Sequence, residues 1–295
     1  MVVILIILSF LFSVVLCYFL MKKMINYKFG YDLHKSKKVK VPEMGGLAPL
    51  FSNVLFISFI NAIFTLPIIA SGIIGVIDDI AKLSPKEKLI LLFISGLIIG
   101  TLFYKYSYID LFGIFLIAIG ITIYSNLTNM LAGFNGLEIG VGVIVTISMS
   151  IILFLNNHIT GSILSLIFAS SYFGLLIFNR YPAKIFPGDV GTLPIGAFLS
   201  VLAVLYKEYI PFLIITLPYI IDASLKYISA GVMSRDEHKP TTLKEDGKLY
   251  YLGGYLSLPR LILKYKPMKE YQLVLILWII GIFFGILGII TSLYI

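Results

Sequence analysis

A chain of 295 residues that is 59% hydrophobic and 13% charged, with a mean hydropathy of +1.00, carries more apolar side chains than a water-soluble core of ordinary surface-to-volume ratio can hide. Its apolar runs last about twenty residues and recur along the whole length, which indicates an all-α polytopic membrane protein and excludes an outer-membrane barrel of short alternating strands. The net charge of +8 is divided among many loops, so membrane topology accounts for it and a nucleic-acid partner does not.

Ten transmembrane helices are predicted, over 2–21, 46–65, 67–80, 88–104, 109–125, 139–156, 160–178, 191–206, 209–232 and 271–294. The first lacks the basic start and small-residue cleavage site of a signal peptide, and Cys17 within it reads as a small buried hydrophobe. The third is short, begins at Pro67 and ends on two aspartates. Loops 22–45, 81–88, 126–138, 179–190 and 233–270, called A to E, hold 20 of the 23 Lys and Arg residues, whereas the opposite turns hold only Lys105 and Lys207. The positive-inside rule places loops A to E in the cytoplasm and both termini outside. With no visible repeat, linker or appended soluble domain, residues 1–295 read as a single domain whose active site is formed by cytoplasmic loops.

Loop B follows Asp78 and Asp79, adjacent carboxylates at a helix end where the macrodipole opposes them; they need a cation or a substrate partner to offset their repulsion. Lys82, Lys86 and Lys88 come next and suit phosphate oxygens, although an interfacial anchor explains Lys86 equally well. Loop C contains Asn126, Asn129 and Asn135, then Glu138, and no base. Asn126 and Asn129 share a helical face if the fifth helix continues that far, and amide oxygens are hard ligands that also read a nucleobase. In loop D, Phe186-Pro187-Gly188-Asp189 opens the eighth helix, so Asp189 is either a plain N-cap or a site acid, and Phe186 either stacks on a base or anchors the interface. Loop E carries Arg235 and His238 among mixed charges suited to a sugar or phosphate, followed by Tyr250, Tyr251, Tyr255 and Arg260, which read as an interfacial amphipathic segment. Asp222 and Lys226 have the spacing of an intrahelical ion pair, and His158 in an outward turn reads as passive.

In order along the chain, Pro42-Glu43-Met44-Gly45-Gly46, Asp78-Asp79 with Lys82 and Lys88, the run from Asn126 to Glu138, Phe186-Pro187-Gly188-Asp189 and the Arg235 to Pro240 segment resemble the polyprenyl-phosphate N-acetylhexosamine-1-phosphate transferase superfamily. Its members include bacterial phospho-MurNAc-pentapeptide translocases and eukaryotic dolichyl-phosphate N-acetylglucosamine phosphotransferases. The ending Asn135-Gly136-Leu137-Glu138 and the lack of a multiple-histidine motif in loop E make the chain most similar to the eukaryotic branch. The resemblance implies that Asn129 and Asp189 hold magnesium, with manganese as the alternative ion, that Asn135 and Phe186 receive uracil, and that Lys88 contacts the diphosphate. It also implies that Asp78 or Asp79 positions or deprotonates the acceptor, that Arg235 takes the place of the loop E arginine, and that Glu43, Asn126, Glu138 and His238 complete the substrate site, Glu43 and His238 reading the sugar.

The expected reaction transfers N-acetylglucosamine 1-phosphate from UDP-N-acetylglucosamine to dolichyl or another polyprenyl phosphate, releasing UMP; another UDP-N-acetylhexosamine is the alternative donor. A transporter or flippase of an anionic or lipid-linked substrate is the competing class, but twelve of the fifteen acids lie at or in the loops A to E. The aromatic residues Trp278, Phe283 and Phe284 of the last span suit either a homodimer or lipid contact.

Overall fold

The computed structural model describes residues 2–35, 37, 39–231 and 241–294. Its helices are α1 (Val2–Met24), α2 (Leu47–Asn61), α3 (Leu66–Ala81), α4 (Pro85–Lys105), α5 (Leu111–Met130), α6 (Leu137–Leu155), α7 (Ile159–Asn179), α8 (Asp189–Leu205), α9 (Tyr209–Ile215), α10 (Leu217–Ala230), α11 (Leu258–Tyr265) and α12 (Glu270–Ser292). Among the described residues, seven helical stretches are long and apolar enough to cross a membrane, or eight if the bent pair α9–α10 is one span. Ile4, Phe19, Ile98, Ile279 and Phe283 on α1, α4 and α12 lie exposed, as side chains facing lipid do. The protein is a multi-pass helical membrane protein.

Helix α8 is the axis of the bundle, since every residue from Val190 to Val204 is buried. Small residues allow this: a Cβ on Gly196 would lie 2.0 Å from the Tyr124 carbonyl oxygen, so the backbones of α5 and α8 touch there. Gly46 and Gly75 both abut the start of α8, where their Cβ atoms would fall 2.1 Å from Gly191 Cα and 2.5 Å from Val190 N. The 35 residues of Leu47–Ala81 would reach about 50 Å as one straight helix, so contacts from both ends to one point require α2 and α3 to fold back on each other. The reversal is the 3₁₀ turn Ala62–Thr65, which Asn61 caps by accepting the Ile63 N–H at 3.2 Å.

Three features differ from the sequence-based expectation. The ninth span breaks at Thr216 with a bend of 64°, because Pro218 in the first turn of α10 cannot continue the ladder of α9. Loops A and E are not irregular throughout: β1 (Phe29–Asp32) pairs antiparallel with β2 (Val39–Pro42), and β3 (Thr242–Leu243) with β4 (Leu249–Tyr250). Trp278 does not join Phe283 on the outer face, because its indole N–H donates to the Gly136 carbonyl at 3.1 Å. The intrahelical ion pair of Asp222 and Lys226 reads as expected, with Lys226 Nζ 2.8 Å from Asp222 Oδ2 and a further bond to the Met130 carbonyl.

The ends of α3, α5, α7 and α10 and the starts of α2, α4, α6, α8 and α12 collect at one end of the bundle. The connection is direct: Phe186 N donates to Pro42 O at 2.8 Å, Gly45 N to Phe186 O at 2.8 Å, and Asn135 N to Glu270 Oε1 at 2.7 Å. His158 lies at the other end, against the Tyr206 ring. If the α5–α8 contact is as close as described, Gly196→Ala will lower stability by about 1–3 kcal/mol. Gly281→Ala, whose Cβ would meet no atom nearer than 3.7 Å, will be tolerated in the same thermal-unfolding measurement in detergent.

Candidate active site

Helix α3 ends where two carboxylates need support, and it comes from two sources. Asp78 Oδ1 accepts the Leu83 N–H at 2.7 Å, and its Oδ2 lies 2.7 Å from Lys88 Nζ. Lys88 is brought there by the start of α4, where Pro85 opens the helix and Ser84 and Glu87 form a capping box, with Glu87 Oε2 accepting the Ser84 N–H at 2.8 Å. Asp79 instead accepts the N–H groups of Asp189 at 2.9 Å and Val190 at 3.1 Å. A carboxylate at the C-terminal end of α3 thereby caps the N-terminus of α8, where negative charge is favoured. The N-cap position of α8 itself is Gly188, at φ 69 and ψ 174, and a Cβ there would lie 2.5 Å from Asp79 Oδ2.

Asp189 is therefore not the cap of its own helix. Its Oδ2 lies 2.6 Å from Lys88 Nζ and receives the Asn129 amide at 3.1 Å. Asn129 Oδ1 takes the Thr192 hydroxyl at 2.9 Å. Helix α5 does continue through Asn126 and Asn129, but Asn126 donates to Thr122 O of its own helix at 2.7 Å. The carboxylate of Asp189 is a hard donor suited to a divalent cation, whereas Asn129 turns its amide nitrogen to that carboxylate and its oxygen to Thr192, so its oxygen would join a cation there only with the amide turned over. Lys88 holds the positive charge between Asp78 and Asp189.

Phe186 and Glu43 meet at strand β1. Gly30 makes room for both, since a Cβ there would lie 2.5 Å from Glu43 Oε1 and 3.4 Å from the Phe186 ring. Glu43 Oε2 also lies 3.8 Å from Lys28 Nζ. Asn135 belongs to a second network: its side-chain amide donates to Asp32 Oδ2 at 2.9 Å. Glu138 is buried in the first turn of α6 with no hydrogen-bond partner for Oε2. Arg235 and His238 lie outside the described residues.

Reading the sequence missed Asp32, His34, Lys35 and Glu270. Lys35 Nζ is 3.7 Å from Asp32 Oδ2 and from Glu270 Oε2, and sits 3.5 Å from the Tyr181 ring centroid. His34 stacks on Phe134 at 4.9 Å and contacts Thr241 Oγ1 at 3.0 Å. Ligand atoms of Asp32, His34 and Glu270 lie within 4.8 Å of one another, but the Lys35 ammonium already supplies the counter-charge. The signal available in the sequence was the clustering of these polar residues in loop A and an acid opening the last helix.

Comparison with known proteins yields a match between residues 60–207 and the family described as Glycosyl transferase family 4. That stretch contains Asp78, Asp79, Lys88, Asn129, Asn135, Phe186 and Asp189. The chain is 77% identical, over 97% of its length and 95% of the relative, to a protein of Methanocaldococcus jannaschii provisionally named a glycosyltransferase. It is 31% identical, over 97% of its length and 95% of the relative, to a Saccharolobus solfataricus protein provisionally named UDP-N-acetylglucosamine–dolichyl-phosphate N-acetylglucosaminephosphotransferase. A phospho-N-acetylmuramoyl-pentapeptide-transferase of Halalkalibacterium halodurans is 28% identical over 98% of this chain and 97% of its own.

The geometry separates the two aspartates. Asp79→Ala removes the acceptor for two α8 amides and will cost about 1–2 kcal/mol of stability, read by thermal unfolding in detergent. An unchanged unfolding temperature would show that Asp79 does not cap α8.

Proposed function

We propose that this chain, which belongs to glycosyl transferase family 4 and to the polyprenyl-phosphate N-acetylhexosamine-1-phosphate transferase superfamily, transfers N-acetylglucosamine 1-phosphate from UDP-N-acetylglucosamine to dolichyl or another polyprenyl phosphate. The observation that carries the reading is the Lys88 ammonium held between Asp78 and Asp189 at 2.7 and 2.6 Å, where the starts of α4 and α8 and the ends of α3 and α5 converge. Phosphoryl transfer asks for positioning and charge neutralisation above all.

In this reading an oxygen of the lipid phosphate attacks the sugar-bearing phosphorus, the bond from that phosphorus to the bridging oxygen breaks, and UMP leaves with the electron pair. Lys88 meets the diphosphate, and Asp78 sets where its ammonium lies. Asp79, with both oxygens on main-chain amides, acts through the position of Asp189. Phe186 stacks on the uracil and Asn135 reads its edge; Glu43, Asn126, Glu138, Arg235 and His238 complete the donor site. Asp189 and Asn129 would hold magnesium, or manganese, which when bound neutralises charge on the phosphate oxygens.

In this reading the chain crosses the membrane ten times, counting α2 and α3 separately, α8, and α9–α10 as one bent span, with the site in the cytoplasm and both termini outside. The basic bias supports this arrangement. Single cysteines at Lys207 and Glu245 will label differently with an impermeant thiol reagent on intact cells, 207 reacting and 245 not; the opposite pattern sinks the sidedness. For the chemistry, Asp189→Asn and Asn129→Ala will each lower UMP release at least about 100-fold with UDP-N-acetylglucosamine, dolichyl phosphate and magnesium, while the protein still inserts. Release of no UMP from any UDP-sugar by the unaltered protein would overturn the function.

A further inference from the structure

We propose that Asp32 is a positioning residue that fixes which way the Asn135 amide faces, and that this fixed amide makes the site take uracil and refuse cytosine. The inference rests on the transferase reading and names what sets its base specificity.

An amide side chain is nearly symmetric in shape but not in hydrogen bonding, since its nitrogen only donates and its oxygen only accepts. Asn135 Nδ2 lies 2.9 Å from Asp32 Oδ2, and an ionised carboxylate accepts only. Turned over, the amide would set its oxygen against a carboxylate oxygen, and the two residues are only 5% and 6% exposed, so water could not relieve the clash. Asp32 is itself held, with Oδ1 accepting the His34 N–H at 3.1 Å and Oδ2 3.7 Å from Lys35 Nζ. The Asn135 main chain is held as well, through its bond to Glu270 Oε1 at 2.7 Å. Loop A thus fixes the flip of this amide, and the first residue of α12 fixes its place.

Strand geometry connects the amide to the aromatic ring. Gly30 and Asp32 are two apart on β1 and so face the same side. Phe186 lies against Gly30 and Asn135 against Asp32, so a stacking ring and an edge-reading amide flank one strip of the strand. With one N–H given to Asp32, Asn135 retains its oxygen and one N–H. Uracil offers the donor N3–H beside the acceptor O4, which matches that pair. Cytosine offers the acceptor N3 beside the N4 donor, which would require the amide turned over. A site built to hydrogen-bond one pattern rejects its inverse strongly, because buried groups are left unpaired.

The test is calorimetric titration of UMP and CMP into the full chain in detergent, alongside UMP and CMP release from UDP- and CDP-N-acetylglucosamine. The unaltered protein will prefer UMP by about 100-fold or more. Asp32→Asn keeps the size but can present either an oxygen or an N–H, and will narrow that ratio at least about tenfold. Asp32→Glu, still an acceptor, will bind both nucleotides less tightly and keep the preference for UMP. Equal binding of CMP by the unaltered protein, an unchanged ratio in folded Asp32→Asn, or loss of preference in Asp32→Glu each overturns the inference; should Asp32→Asn not fold, the other two arms decide. Failure of the transferase reading shows separately, as a protein that binds UMP selectively yet releases none from any UDP-sugar.

Discussion

Asp79 gives both carboxylate oxygens to the first amides of α8, and that pair of bonds sets how closely α3 and α8 must approach. A residue larger than glycine at 75 would drive its Cβ to 2.5 Å from the Val190 nitrogen, and one at 188 would meet the carboxylate itself. The same approach places Asp78 next to Asp189, and two carboxylates so arranged, one buried and one half-buried, would be costly without a cation. Lys88 is that cation, and the capping box of Ser84 and Glu87 starts α4 at the point that delivers it. One capping interaction therefore entails the glycines, the lysine and the start of the next helix.

The centre is nevertheless unbalanced. Asp78 and Asp189 share the ammonium of Lys88, while Asp79 draws compensation from the partial positive charge of a helix N-terminus. The remaining negative charge lies with the pair that Lys88 bridges, Asp78 and Asp189. An incoming diphosphate would add more, so the donor must either arrive with a cation or draw Lys88 away from the acids. This is the physical ground for the divalent ion in the proposed chemistry.

The helices were legible because lipid demands long apolar runs, and nine of the ten predicted ones begin and end within about five residues of helices observed, although only seven or eight stretches among the described residues are long and apolar enough to span. The exception, α9–α10, turns on one proline whose effect depends on where it falls in the turn. Local chemistry was less legible. That Asp78 and Asp79 needed compensation could be read from their adjacency, but that one is compensated by a side chain and the other by helix amides 110 and 111 residues away could not. Asp32 and Glu270 escaped notice because each is an unremarkable loop or helix-start acid until the fold brings both onto Asn135. Asp189 looked like a cap for good reason, since it opens a helix; the positive φ of Gly188 and the reach of Asp79 gave that task to another residue.

Broken helices are what a transporter would also show, and among the described residues two interruptions are present, at the 3₁₀ turn Ala62–Thr65 and at Thr216. Their placement argues against that class. The first lies at the turn between α2 and α3, away from the glycines that reach α8, and Asn61 satisfies its exposed amide within the turn. The second is followed by Asp222 and Lys226, which neutralise each other, while Asp222 also accepts the Leu258 N–H at 2.8 Å and Lys226 reaches the end of α5. The carboxylates, amides and lysine that could act on phosphate are gathered instead at one end, on the rigid termini of α3, α4, α5 and α8. A site at the edge of the bundle can meet a lipid phosphate at the membrane surface and a nucleotide from solution together, which a group transfer between them requires.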